Sequence, residues 1–262
     1  MRLTIPELRR ICLKADEADK PVYARYVTHT LSIGLIWLFQ DLRISANLIT
    51  ALSLALAFAA IPFFAQLTPV SVLIGALLVE AYYVLDAVDG QWARLKKQRS
   101  LTGAFFDVVI NYVIQPPIFF AIAWGVHSRS GDPVHLLLGF TAAFGSLWIL
   151  LIWSVRSTMV LTHGGSLKRP ETASAVRPHR PSLARESFGW LHKLLVFPWF
   201  MYVLTLTSIA VFAAPAFGLG DVSSPVFEVF LSYYGVMAPA VSFILTAYWI
   251  LTRQLERSLP SA

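Results

Sequence analysis

The chain has 262 residues, of which 56% are hydrophobic and only 14% are charged. Soluble domains are typically about 45–50% apolar and about 25% charged, so this composition excludes an ordinary soluble domain and indicates an integral membrane protein. The net charge of +6 would favour nucleic-acid binding in a soluble chain. In a membrane protein it indicates basic loops facing the cytosol and anionic lipid, so we expect no nucleic-acid partner.

The N-terminal region, residues 1–44, is predicted to form cytosolic or interfacial amphipathic helices. Thr4 and Glu7 have the spacing of a capping box, which predicts a short helix within residues 3–18. A mobile charged terminus is the alternative for this stretch. Residues 22–42 are amphipathic at first and apolar later, but the apolar run is too short to span a bilayer comfortably, which favours a second interfacial helix.

Six segments that follow are each long enough to cross about 30 Å of hydrocarbon. They are residues 45–66, 69–94, 101–126, 135–160, 190–214 and 225–252. The predicted fold is therefore an all-α integral membrane protein with six transmembrane helices in residues 45–252, followed by a cytosolic tail of residues 253–262.

The basic residues predict the orientation of these spans. If the N-terminus faces the cytosol, every lysine and arginine except Arg129 lies on or near the cytosolic side. Both termini and the turn at 94–99 then face the cytosol, across the plasma membrane if the protein is bacterial. The basic loop at 161–189 is predicted to attract anionic lipid, with a direct contact to a substrate phosphate as the alternative.

Three carboxylates lie in flanks that are otherwise apolar: Asp86, Asp89 and Asp107. Asp86 and Asp89 share one helix face, as do Asp107 and Asn111. If the intervening turn joins two antiparallel helices, the helical rise places Asp89 and Asp86 about 7 and 12 Å from it, and Asp107 and Asn111 about 6 and 12 Å. Because clustered carboxylates repel one another, we expect a divalent cation, and ligation by oxygen alone favours Mg²⁺, Mn²⁺ or Ca²⁺ over zinc.

The stretch from Asp86 to Asn111 resembles the signature of the CDP-alcohol phosphotransferase family, D-x-x-D-G-x-x-A-R-x(8)-G-x-x-x-D-x-x-x-D. The positions that match in type and spacing are Asp86, Asp89, Gly90, Ala93, Arg94, Gly103 and Asp107. The final aspartate of the signature is replaced by Asn111.

This resemblance implies an enzyme of phospholipid biosynthesis that transfers a substituted phosphate group from a CDP-alcohol, CDP-diacylglycerol above all, to a hydroxyl acceptor with release of CMP. It implies a homodimer that holds Mg²⁺ or Mn²⁺ through the three aspartates. The residues predicted to bind substrate are Gly90, Ala93, Arg94, Gly103, Asn47, Thr50 and Arg156. Four of these have structural alternatives: a helix-end role for Arg94, helix capping for Asn47 and Thr50, and snorkelling to the interface for Arg156.

Asn111 leaves the catalytic step open, because the family's aspartate at this position also serves as the base and an amide does not titrate near neutrality. The proton of the acceptor would pass to solvent, to the substrate phosphate or to a carboxylate such as Glu80. Two alternatives to an active enzyme stay open. The protein is a family member that binds metal and CDP-linked ligand without turnover, or its aspartate was replaced deliberately to trap a bound state. A transporter would need polar residues along its spans, whereas the three aspartates gather at one end.

Overall fold

The fold of the computed structural model is described for residues 2–13, 24–98, 100–162, 194–195 and 199–252, and within these ranges it contains helices and no strand. The helices are α1 (Ile5–Cys12), a π-helical turn (Ala24–Thr28), α2 (His29–Phe39), α3 (Ala46–Gln66), α4 (Pro69–Leu95), α5 (Leu101–Ser130), α6 (Val134–Thr162), α7 (Trp199–Ala213) with a 3-10 turn (Ala214–Phe217), and α8 (Ser223–Leu251).

Six of the helices in these ranges are long and apolar enough to cross a membrane: α3, α4, α5, α6, α7 with its 3-10 turn, and α8. The predicted class is confirmed, and the chain is an all-α, multi-pass membrane protein. Residues 161 and 162 of the predicted loop at 161–189 belong to α6, and the rest of this loop lies outside the described residues. The tail at 253–262 and most of the first part of the predicted span at 190–214 also lie outside them.

The chain divides into two compact units, residues 1–114 and 115–262. In the first unit, α1 begins where the sequence predicts, because the backbone N–H and the hydroxyl of Thr4 both donate to Glu7 Oε2, at 2.8 and 2.7 Å. These hydrogen bonds hold the pKa of the Glu7 carboxyl below its usual value. Residues 5–12 therefore form an ordered helix and not a mobile terminus.

Helix α1 packs against α2 and α4 through a small apolar core. Leu8 and Cys12 of α1 are fully buried in it, together with Ile36 of α2 and Trp92 of α4. Polar contacts to backbone carbonyls surround this core: Trp92 Nε1 donates to Ile44 O at 3.0 Å, and Arg94 Nε donates to Cys12 O at 2.5 Å. The N-terminal helix is thereby attached to the end of α4 that carries the signature.

In the second unit, α6 and α8 run parallel to each other at close range. A Cβ added to Gly235 would lie 2.8 Å from Leu138 O, Ser242 Oγ donates to Gly145 O at 2.8 Å, and the rings of Trp153 and Trp249 pack at 5.2 Å. The residue numbers of the contacts increase along both helices, so the two helices run in the same direction. Small residues allow this close approach, as is common between membrane helices.

Candidate functional site

A cavity of about 450 Å³ lies in the first unit, between α2, α3, α4 and the beginning of α5. Its wall contains all seven matching signature residues and both predicted residues of α3. These are Asn47, Thr50, Asp86, Asp89, Gly90, Ala93, Arg94, Gly103 and Asp107. The structure therefore brings the aspartates of α4 and α5, which the sequence placed at one depth, together with two residues of α3.

Two of the carboxylates have very different surroundings. Asp89 Oδ2 accepts a hydrogen bond of 2.5 Å from Thr50 Oγ1, which also lies 3.1 Å from the Ala46 carbonyl of its own helix. Asp86 Oδ1 is buried and has no hydrogen-bond partner among the described residues. Asp86 is close enough to Asp89 and Asp107 for their charges to interact. A buried oxygen of this kind, beside two further carboxylates, suits a cation.

The chemistry of these donors fits Mg²⁺ or Mn²⁺, which prefer carboxylate oxygens and water. The described residues nevertheless contain no group of three His, Cys, Asp or Glu side chains close enough to hold one ion together. The metal therefore stays a prediction, supported by the shared cavity and by the unpaired oxygen of Asp86.

Gly90 leaves open space on the wall of the cavity. A Cβ added at this position would meet only Arg94 Nη1, at 3.8 Å, so a ligand that fills the space would approach the backbone of α4 closely and touch the guanidinium. The structural alternative for Arg94 is also realised, since its Nε donates to Cys12 O at 2.5 Å. Arg94 thus lines the cavity and holds α1 with one side chain.

Gly103 lies at the start of α5, where its backbone N–H donates to Ser100 Oγ at 3.0 Å. A Cβ here would lie 3.2 Å from that hydroxyl and 3.7 Å from Asn47 Oδ1. The glycine therefore allows both Ser100 and Asn47 to approach the start of α5 closely. Helix capping does not account for Asn47, because the cap of α3 is Ser45, whose side chain accepts from Leu48 N at 3.2 Å.

Two of the polar cavity-lining residues that the sequence did not single out are buried. His29 of α2 and Gln91 of α4 line the cavity, both are buried, and Gln91 Nε2 lies 3.3 Å from His29 Nδ1. Gln91 occupies a variable position of the signature, and His29 lies 62 residues earlier in the chain. His29 lies between two threonines in the amphipathic part of residues 22–42, and nothing in its spacing connected it to the aspartates.

Two other predicted residues do not line this cavity, and the side chain of a third is not described. Arg156 is in the second unit, where it lines a different cavity, between α6 and α8. Glu80 is partly buried in α4 and does not line the cavity of the aspartates. The side chain of Asn111 is outside the described residues, although its backbone belongs to α5.

Comparison with known families agrees with this cavity. The sequence profile of the CDP-alcohol phosphatidyltransferases matches residues 43–177, slightly more than half of the chain. The chain belongs to the CDP-alcohol phosphatidyltransferase family. The members of this family transfer a phosphate group from a CDP-alcohol to an acceptor. The match includes every residue on the cavity wall except His29. No curated protein matches the chain in sequence.

Proposed function

We propose that this phosphatidyltransferase transfers a substituted phosphate group from CDP-diacylglycerol to a hydroxyl acceptor and releases CMP, as a step of phospholipid biosynthesis. The acceptor oxygen forms a bond to the phosphorus next to the diacylglycerol, the bond from this phosphorus to the oxygen of CMP breaks, and the acceptor loses its proton. We further propose that the protein acts as a homodimer.

One observation carries this proposal: the seven matching signature residues and the two polar residues of α3 surround a single cavity of about 450 Å³. A volume of this size lies within the range of small-molecule sites, about 300–1,000 Å³. The wall combines anionic oxygens with an arginine and with the open space at Gly90, which together suit a metal-bound diphosphate.

The proposed roles follow from the chemistry of each side chain. Asp86, Asp89 and Asp107 would hold Mg²⁺ or Mn²⁺, which when bound neutralises charge on the diphosphate and on the leaving phosphate. Thr50 orients Asp89 by donating to one of its oxygens. A phosphate in the space at Gly90 meets Arg94 Nη1, which remains protonated and binds anionic oxygens.

A second function is favoured by one residue. Asn111 cannot accept the proton of the acceptor alcohol, so a protein that binds metal and CDP-linked ligand without turnover fits the same cavity. The two functions differ in the destination of that proton. Turnover requires solvent, the substrate phosphate or another side chain to accept it, since Glu80 does not line the cavity.

The experiment that separates them measures CMP release from CDP-diacylglycerol by the purified protein with Mg²⁺ or Mn²⁺. Glycerol phosphate, inositol phosphate, serine and a longer polyol are offered as acceptors. Asn111→Asp runs in parallel, because restoring a positioned base typically increases a rate about 10²–10⁴-fold. Asp86→Asn serves as the metal-site control, and chelation by EDTA should abolish release until metal is added back.

We expect metal-dependent CMP release that depends on one acceptor and is lost in Asp86→Asn. Release by the native chain shows that Asn111 suffices for turnover. Release only by Asn111→Asp shows an intact substrate site that lacks its base, which supports the binding function. If neither protein releases CMP although both bind CDP in a metal-dependent manner, the transferase proposal is wrong.

A further inference from the structure

The second unit contains a cavity of about 420 Å³ between α6 and α8, built from apolar side chains and one cation. Its wall consists of Leu151, Ile152, Val155, Arg156, Met159, Thr246, Trp249 and Ile250. Arg156 is the single ionisable residue of this wall. An arginine among apolar side chains in a membrane-spanning helix is costly unless an anion or water accompanies it.

The described residues supply no anion to Arg156. Its guanidinium carbon instead lies 5.4 Å from the ring centroid of Trp153 and 5.2 Å from that of Trp249, and no acidic side chain in these ranges pairs with it. The two indoles pack edge to face and hold the guanidinium from two sides. Aromatic faces attract the cation but leave its charge uncompensated.

The position along the helices places this cation at headgroup depth. Arg156 lies six residues before the end of α6 and Trp249 two residues before the end of α8, which correspond to about 9 and 3 Å of helical rise. Because α6 and α8 are parallel, both residues approach the same membrane surface. Arginine and tryptophan are the residues that prefer this interface, where lipid phosphates lie.

We propose that this cavity is a binding site for an anionic membrane phospholipid, whose phosphate contacts Arg156 and whose acyl chain lies along the apolar wall. Charge complementarity identifies the occupant. The cavity combines an uncompensated cation with an apolar wall, and an anionic phospholipid combines an anion with an acyl chain. This cavity shares no lining residue with the cavity of the aspartates, and the proposal does not depend on the proposed transfer reaction.

The test is native mass spectrometry of the intact protein in detergent, with dioleoylphosphatidylglycerol or dioleoylphosphatidylcholine added at equal concentration. We expect the protein to retain phosphatidylglycerol about fivefold better, which corresponds to ~1 kcal/mol for one basic residue beside an anionic headgroup. The preference should disappear in Arg156→Gln and persist in Arg156→Lys, which keeps the charge. Arg129→Gln is the matched control, because Arg129 is paired with Asp221 at 3.0 Å.

Each outcome decides the proposal. Equal retention of both lipids by the native protein overturns it, as does an Arg156→Gln variant that keeps the preference. An Arg156→Lys variant that loses as much as Arg156→Gln shows that packing is responsible and also overturns it. Displacement of the lipid by free glycerol phosphate indicates a site for the headgroup alone. A dimer that retains no phosphatidylglycerol shows that a second copy of the protein occupies the cavity. Displacement by glycerol phosphate and a lipid-free dimer would each refute the lipid site.

Discussion

At the scale of single residues, the hydrogen bond between Thr50 and Asp89 explains why α3 contributes to the site. The hydroxyl lies 2.5 Å from Asp89 Oδ2, whereas Asp86 Oδ1 has no partner among the described residues. One carboxylate is therefore held in place before a cation binds, and the other keeps a buried oxygen that has no hydrogen-bond partner among the described residues. Groups that orient a metal ligand in this way typically contribute a factor of about 10–100 to metal affinity.

Replacing this hydroxyl should weaken metal binding without removing a ligand. We expect Thr50→Val to lower the affinity for Mn²⁺ about tenfold to hundredfold, because Asp89 loses its hydrogen bond. Thr50→Ser keeps a hydroxyl at the same position and should stay within a factor of about three. Titration calorimetry or the paramagnetic resonance of Mn²⁺ measures both. Equal affinity for Thr50→Val and the native protein would show that Asp89 needs no orientation.

The sequence predicted which residues of α4 and α5 line the cavity, but not which residue of α2 does. The signature fixes which residues of α4 and α5 share a face, and helical rise brings Asp86 and Asp107 to one depth, so their place on one cavity was predictable. His29 was not predictable, because its approach to Gln91 depends on how α2 packs against α4. Periodicity within one helix says which residues share a face but not which helix lies opposite.

At the scale of the helices, α1 contacts the end of α4 that carries the signature. The capping box predicted its start correctly, but the contact between Arg94 Nε and Cys12 O joins residues 82 positions apart. No local pattern indicates such a contact. Burial raises the pKa of the Cys12 thiol, and the charge of Arg94 acts in the opposite sense. The thiol is therefore a probe of whether α1 remains in place.

Loss of the arginine should expose this thiol. We expect Arg94→Ala to speed the labelling of Cys12 by a maleimide at pH 8 about tenfold or more, since a hydrogen bond to a charged group contributes about 1.5–3 kcal/mol. Removal of the positive charge makes the thiol less acidic, so faster labelling must come from greater access. Arg9→Ala, at an exposed site on α1, is the control and should label like the native protein. Slow labelling of Arg94→Ala would show that the apolar core alone holds α1.

At the scale of the whole molecule, the order of the spans determines which turns share a side of the membrane. If α5 crosses the membrane once, the turn between α4 and α5 and the turn between α5 and α6 face opposite sides. Lysines and arginines surround the first turn, whereas Arg129 lies near the second, so the positive-inside rule predicts that the first turn faces the cytosol. The cavity lies at that end of α4 and α5, so we propose that donor and acceptor enter from the cytosol.

This orientation can be tested with single cysteines in a Cys12→Ser background. Lys97→Cys places a thiol in the turn after α4, and Ser128→Cys places one near the end of α5; both positions are exposed. In right-side-out membrane vesicles, a membrane-impermeant maleimide should label Ser128→Cys at once and Lys97→Cys only after permeabilisation. The reverse pattern would place the cavity on the outer side of the membrane. It would contradict the proposal that donor and acceptor enter from the cytosol. The reverse pattern would also mean that the basic residues near the span ends of this chain do not follow the positive-inside rule.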